Sequence, residues 1–127
     1  MALLEPLPAP AGRSSTQKGE SLTAHFGAIL ARNERWLWAV AVLALLADVV
    51  TTLVGLQTGL AEGNPVVAGA LADAGLLGFF GVKVGVLALA VGGRIAAPGF
   101  RVAIPLGIAV PWLAAAGTNA LLLFAVA

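Results

Sequence analysis

Residues 36–60 read WLWAVAVLALLADVVTTLVGLQTGL, an apolar run with one carboxylate, Asp48, in its middle. A helix over this stretch, at ~1.5 Å per residue, exceeds the ~30 Å of a bilayer's hydrocarbon core. Trp36 and Trp38 stand at its start, where amphipathic rings mark a membrane–water boundary. Working outward, a second span is predicted over residues 75–93, GLLGFFGVKVGVLALAVGG, with Lys83 inside it. A third is predicted over residues 102–127, with Pro105 near its start and Pro111 placed to kink it by freeing a carbonyl one turn earlier. The expected fold is an all-α integral membrane protein, a bundle of three transmembrane helices over residues 36–127.

Composition points the same way. The chain has 127 residues, 60% of them hydrophobic and only 10% charged, against roughly 25% charged in a soluble domain. A small soluble domain leaves much of its surface in water and has nowhere to hide so much apolar area. With no cysteine, disulfides, thiolate nucleophiles and Cys-ligated metals are excluded. No nucleotide loop, zinc motif, Ser-centred elbow or nucleic-acid patch appears. Neither a cofactor nor an enzymatic activity is expected, and the lipid bilayer is the expected surrounding.

Residues 1–20, MALLEPLPAPAGRSSTQKGE, are rich in Pro, Ser, Gly and charge and read as a disordered tail, without the order of a secretory signal. Residues 21–35 are predicted to form an amphipathic juxtamembrane helix, N-capped by Ser21, with Leu22, Phe26, Ile29 and Leu30 on one face. His25 lies beside that face as an interfacial side chain. Between the first two spans lies GNPVVAGALADAG (63–75), in which Asn64 and Pro65 carry the signature of a helix cap and first helical residue. The stretch from Pro65 to Asp73 is too short to cross a bilayer; a short surface or re-entrant helix, broken at Gly75, is expected in preference to an extension of the second span.

Arg13, Lys18, Arg32 and Arg35 precede the first span, and Arg94 and Arg101 lie between the second and third. The connection carrying Glu62 and Asp73 has neither Lys nor Arg. This positive-inside pattern predicts a multi-pass protein of the cell membrane with a cytoplasmic N-terminus and an extracellular C-terminus.

Asp48 falls near the midplane, where an unpaired charge costs at least ~2.5 kcal/mol. Asp48, Thr51, Thr52, Gly55, Gly59 and Glu62 recur at helical spacing, so the stripe is expected to face protein, its hydroxyls hydrogen-bonding and its glycines admitting a neighbouring helix. Lys83 is the expected ion-pair partner, with Asn119 and Thr118 of the third span joining the polar cluster. Gly78, Gly81 and Gly85 form a small-residue packing face on the opposite side of the second helix. Trp112 is expected to pack against a neighbouring helix.

The pattern Asp48-x-x-Thr51-Thr52, Gly55, Glu62-x-Asn64-Pro65 and Lys83 resembles a family of small uncharacterised prokaryotic membrane proteins, notably from halophilic archaea, catalogued as a domain of unknown function. The resemblance covers roughly residues 36–127 and implies a shared polar site without implying a reaction. Read from the residues, the Asp48–Lys83 pair is either a device that sets helix register or a site for a proton or small cation. Glu62, Asn64 and Pro65 are either a cap and turn or oxygen ligands at an outer mouth. Three functions are consistent with this: a transport, channel or assembly component acting as a homo-oligomer; a structural or regulatory subunit docking on a membrane-protein partner; or an intramembrane hydrolase, which needs a second carboxylate that one copy does not place at depth.

Overall fold

The computed structural model describes residues 15–127, so the first part of the expected tail lies outside the described residues. Among those described, the regular elements are all helices, with α1 at Ser15–Arg32, α2 at Glu34–Gln57, α3 at Pro65–Ala96 and α4 at Ala103–Val126. A 3-10 turn, Pro98–Phe100, links α3 to α4. Three of these helices, α2, α3 and α4, are long and apolar enough to cross a membrane. The chain is an all-α protein with three candidate membrane spans.

Helix α1 begins earlier than its apolar period indicates. Residues 15–20 are helical, so Ser21 is an interior helical residue and not the cap. Their sequence, STQKGE, is polar, and periodicity of apolar residues is blind to a stretch that has none. Thr23 Oγ1 donates back to the carbonyls of Gly19 and Glu20, which ties the side chain to this turn. Leu22, Phe26 and Ile29 remain exposed along one face.

Helix α2 ends at Gln57, three residues before the expected boundary, because Gly59 adopts φ +87. The Leu60 amide donates to the Gly55 carbonyl and the Gly59 amide to Leu56, the two bonds of a Schellman motif. Leu60 then folds back onto Gly55, where a Cβ would stand 3.5 Å from its side chain. Gly59 is therefore a turn residue with nothing beside it, and Gly55 makes room for Leu60. Within one chain no neighbouring helix comes within contact of a Cβ at either position.

Helix α3 breaks at Gly75, whose φ of 59 and ψ of −145 lie outside helical space, in a region essentially reserved for glycine. Before the break, Asn64 Oδ1 accepts from the amides of Val66 (3.0 Å) and Val67, and Pro65 takes the first turn. After it, the chain turns back so sharply that a Cβ on Gly78 would lie 2.0 Å from the Ala70 carbonyl oxygen. In a straight helix residues eight apart are ~12 Å from each other. Gly78 thus packs against its own helix across the break. Gly81 and Gly85 have nothing within contact of a Cβ, so within one chain they form no packing face.

The tight seam is between α2 and α4. Ala41, Ala44, Asp48, Thr52 and Gly55 are buried along α2, and Pro105, Ala109, Trp112 and Ala116 along α4. Leu45 packs with Trp112, and Thr52 receives a hydrogen bond from Asn119. Both steps are seven residues in the same direction, so the two helices run parallel in a heptad-like register. Small residues let the backbones approach. Trp112 fills the space between, beside Ala44 and Leu45, with Leu87 of α3 and Ile108 packed at the edge. Helix α4 continues through Pro111.

Gly78→Ala is expected to destabilise the fold by about 1 to 3 kcal/mol, the usual cost of overpacking, because the neighbour it meets is backbone. Gly81→Ala should leave stability unchanged, and thermal unfolding of the two variants in mild detergent separates them.

Candidate functional site

Asp48 lies on α2 about nine residues, ~14 Å, from the helix's C-terminal end, and Lys83 about eight residues, ~12 Å, beyond the Gly75 break. Early termination of α2 brings the two to nearly the same depth. Lys83 Nζ donates to Asp48 Oδ2 in an ion pair, with Asp48 only 2% exposed and Lys83 8%. Phe79, one turn earlier on α3 and fully buried, sets its ring 5.6 Å from the ammonium. An aromatic face over a desolvated cation is worth up to about 2 kcal/mol. Phe79 sits four residues before Lys83, the one signal in the sequence that pointed to it.

Asn119 of α4 joins α2 to the cluster. Its Nδ2 donates to Thr52 Oγ1 at 2.9 Å and to Thr51 Oγ1 at 3.4 Å. The Thr51 hydroxyl itself donates to the Ala47 carbonyl at 2.8 Å. Its proton is committed there, so towards Asn119 its oxygen can only accept, which fixes the amide with its nitrogen on the threonines and its oxygen turned away. The connection between α2 and α3 closes one end of the cluster. Glu62 Oε1 accepts from the Asn64 amide at 2.8 Å, so Glu62, Asn64 and Pro65 together form a cap and turn.

These residues surround a pocket of about 370 Å³ lined by Asp48, Glu62, Asn64, Lys83, Thr118 and Asn119, with Pro111 and Trp112 along one side. Thr51, Thr52 and Gly55 instead face a small neighbouring cleft, which shares Glu62 and Asn119 with the larger pocket. The pocket exists because α3 stands off from α2. Their backbones stay apart along most of their length, and the gap is bridged by long side chains.

The second bridge is at the opposite end of the bundle. Arg94 reaches Glu34 with both its Nε and one terminal nitrogen, the latter 3.0 Å from Oε2, and Trp38 Nε1 donates to Glu34 Oε1 at 3.3 Å. Both partners are about three-quarters covered. Sequence reasoning missed this clamp, because it took Arg94 only as a topology signal and passed over Glu34. A carboxylate between Arg32 and Arg35, next to the boundary Trp36, was the available clue.

No buried side-chain nitrogen or oxygen among the described residues lacks a hydrogen-bond partner, and none of their His, Asp and Glu side chains group into a metal-binding set. The polar cluster is therefore made of hydrogen-bonded residues from three helices, and its pattern overlaps the matched region of a known family. The family model described as a domain of unknown function (DUF5658) matches residues 38–125. The chain belongs to this family. The match takes in Asp48, Lys83 and Asn119 and leaves out α1, Glu34 and the residues before α1. No curated protein and no solved structure matches the chain.

Removing one partner of a buried pair strands the other charge, at a cost of about 3 to 5 kcal/mol. Lys83→Met is expected to lose stability on that scale, while the double variant Asp48→Leu with Lys83→Met should recover most of it. A double-mutant cycle by denaturant titration in detergent measures the coupling.

Proposed function

We propose that the chain is a multi-pass protein of the cell membrane that acts as a transport or channel component, with the pocket at Asp48 and Lys83 as its working site. The observation that carries this reading is the pocket itself, a polar chamber in a helical bundle that reaches from the α2–α3 connection to a buried carboxylate and ammonium. Ionisable groups at such depth are costly and mark ion, proton or substrate pathways by default. A register device alone needs the ion pair but not a chamber beside it. Three spans are few to enclose a complete pathway, so the working form is a homo-oligomer. A hydrolase is disfavoured, because Lys83 neutralises the one deep carboxylate that acid–base chemistry would use.

Reconstitution in proteoliposomes tests the reading. Proton or cation flux is expected from the native chain and should fall by at least about tenfold, 1.4 kcal/mol or more in barrier, in Asp48→Asn. Flux indifferent to that change would remove Asp48 from the mechanism.

We further propose that the end bearing Arg32, Arg35, Arg94 and Arg101 lies in the cytoplasm and the end bearing Glu62 and Asp73 outside. Because the chain has no cysteine, single replacements report topology cleanly. Gly63→Cys and Ala127→Cys should react with a membrane-impermeant maleimide in intact cells, and Gly99→Cys should react only after lysis.

A second reading is a structural or regulatory subunit. It is favoured by α3, whose Gly81 and Gly85 meet nothing in the chain and leave a smooth face for another helix. Purification in mild detergent decides between the two: a stoichiometric foreign partner supports the subunit, a homo-oligomer the transporter.

A further inference from the structure

We infer that the pocket takes a monovalent cation, which competes with the Lys83 ammonium for Asp48, so that Lys83 is a resident counter-ion exchanged for the cargo. The inference rests on the reading of this pocket as the working site and names the class of solute it accepts.

The charges around the pocket are two carboxylates, Asp48 and Glu62, and one ammonium, Lys83. Among the described residues no other ionisable side chain lines it. The chamber is thus short of one positive charge. An anion would meet two carboxylates and a lone ammonium already engaged with Asp48. A divalent cation would leave an excess positive charge in a low-dielectric site while Lys83 stays protonated. A single positive charge balances the set.

The hydrogen-bond pattern points the same way. Asp48 Oδ2 is taken by Lys83, while Oδ1 accepts no hydrogen bond from the protein. No fully sealed polar side-chain atom among the described residues is left without a partner, so Oδ1 keeps some access, at the pocket that Asp48 lines. Asn119 contributes the same polarity. Its nitrogen is turned onto Thr51 and Thr52, which leaves its carbonyl oxygen open to the cavities on either side. Glu62 keeps a second oxygen, since only Oε1 is used on the Asn64 amide. Three oxygen acceptors, two of them on carboxylates, describe a site for a cation, and the other donors lining the pocket, on Asn64, Trp112 and Thr118, are neutral.

Lys83 can yield its place. Its four-carbon stem is flexible, and the buried ring of Phe79 offers the ammonium a second favourable neighbour at 5.6 Å. When a cation settles on Asp48 Oδ1 and displaces Lys83, the ammonium keeps that contact; when the cation leaves, Lys83 returns and the carboxylate is never bare. An alkali ion and a small primary ammonium share this chemistry.

The test is thermal unfolding of the full chain in mild detergent. NaCl is titrated against N-methyl-D-glucamine chloride at constant ionic strength, with methylammonium chloride in a parallel arm. A saturable rise in midpoint is expected in at least one arm, sodium marking an alkali-ion site and methylammonium an organic one. Asp48→Asn should abolish it. Lys83→Met should bind the same cation at least about tenfold more tightly, because the competitor is gone. Where Lys83→Met fails to fold, Glu62→Gln carries the test: it keeps an oxygen for the Asn64 amide, removes one negative charge, and should weaken the cation by about tenfold. The inference is overturned by no saturable rise in either arm, by a rise that survives Asp48→Asn, or by a folded Lys83→Met that binds no tighter. Binding without flux in proteoliposomes supports the cation site and overturns only the transport reading. Flux of another solute without cation binding does the reverse.

Discussion

A carboxylate and an ammonium cannot each stand alone in a hydrocarbon layer, and the contact between Asp48 and Lys83 is how this chain holds both. Neither group is more than a tenth exposed, so each would carry a large desolvation penalty without the other. The pairing reaches from α2 to α3, two helices whose backbones otherwise stay apart. It therefore does more than neutralise charge. It is one of the bridges that position α3, and it does so at the length of a lysine side chain, which leaves room beside it.

The room is kept open by contrast with its surroundings. Along the same buried stripe of α2, alanines 41 and 44 meet α4 with its alanines 109 and 116 in close parallel contact, and Trp112 fills what space remains. That seam is rigid enough to orient Asn119 through two threonine hydroxyls. At the far end, Arg94 and Glu34 form a second long-reach bridge about three to four turns away along the helices. A tight helix pair with a third helix tethered at two levels makes a chamber between them. The α2–α3 connection, turned by Gly59 and capped by Asn64, sits over its mouth.

Features with a local cause were legible in the sequence. Three apolar runs of spanning length need no partner to be recognised, because lipid imposes the same rule on every residue in them. Asn64-Pro65 as a helix start and Gly75 as a break depend on backbone preferences of the residues themselves. Misreadings arose where a residue type serves several ends. Gly59 fits a packing stripe by spacing, yet it turns the chain. Gly78 looked like part of a face with Gly81 and Gly85 and is instead pressed against the Ala70 carbonyl. The start of α1 was invisible because polar turns leave no apolar period.

What the sequence by itself determined is the solvent and the class: lipid around three helices, with a charge inside that had to be covered. It also narrowed the charge's partner to Lys83, since the apolar spans hold no other lysine or arginine near that depth. Tertiary structure alone decided which faces meet. Helical spacing says which residues share a stripe but not which helix the stripe finds, and here the threonines face α4 while the aspartate is met by α3. It also decided that the ion pair borders a chamber instead of a sealed core. That outcome depends on the distance between α2 and α3, and a distance set by two long side chains in opposite places is written in no local stretch of the chain.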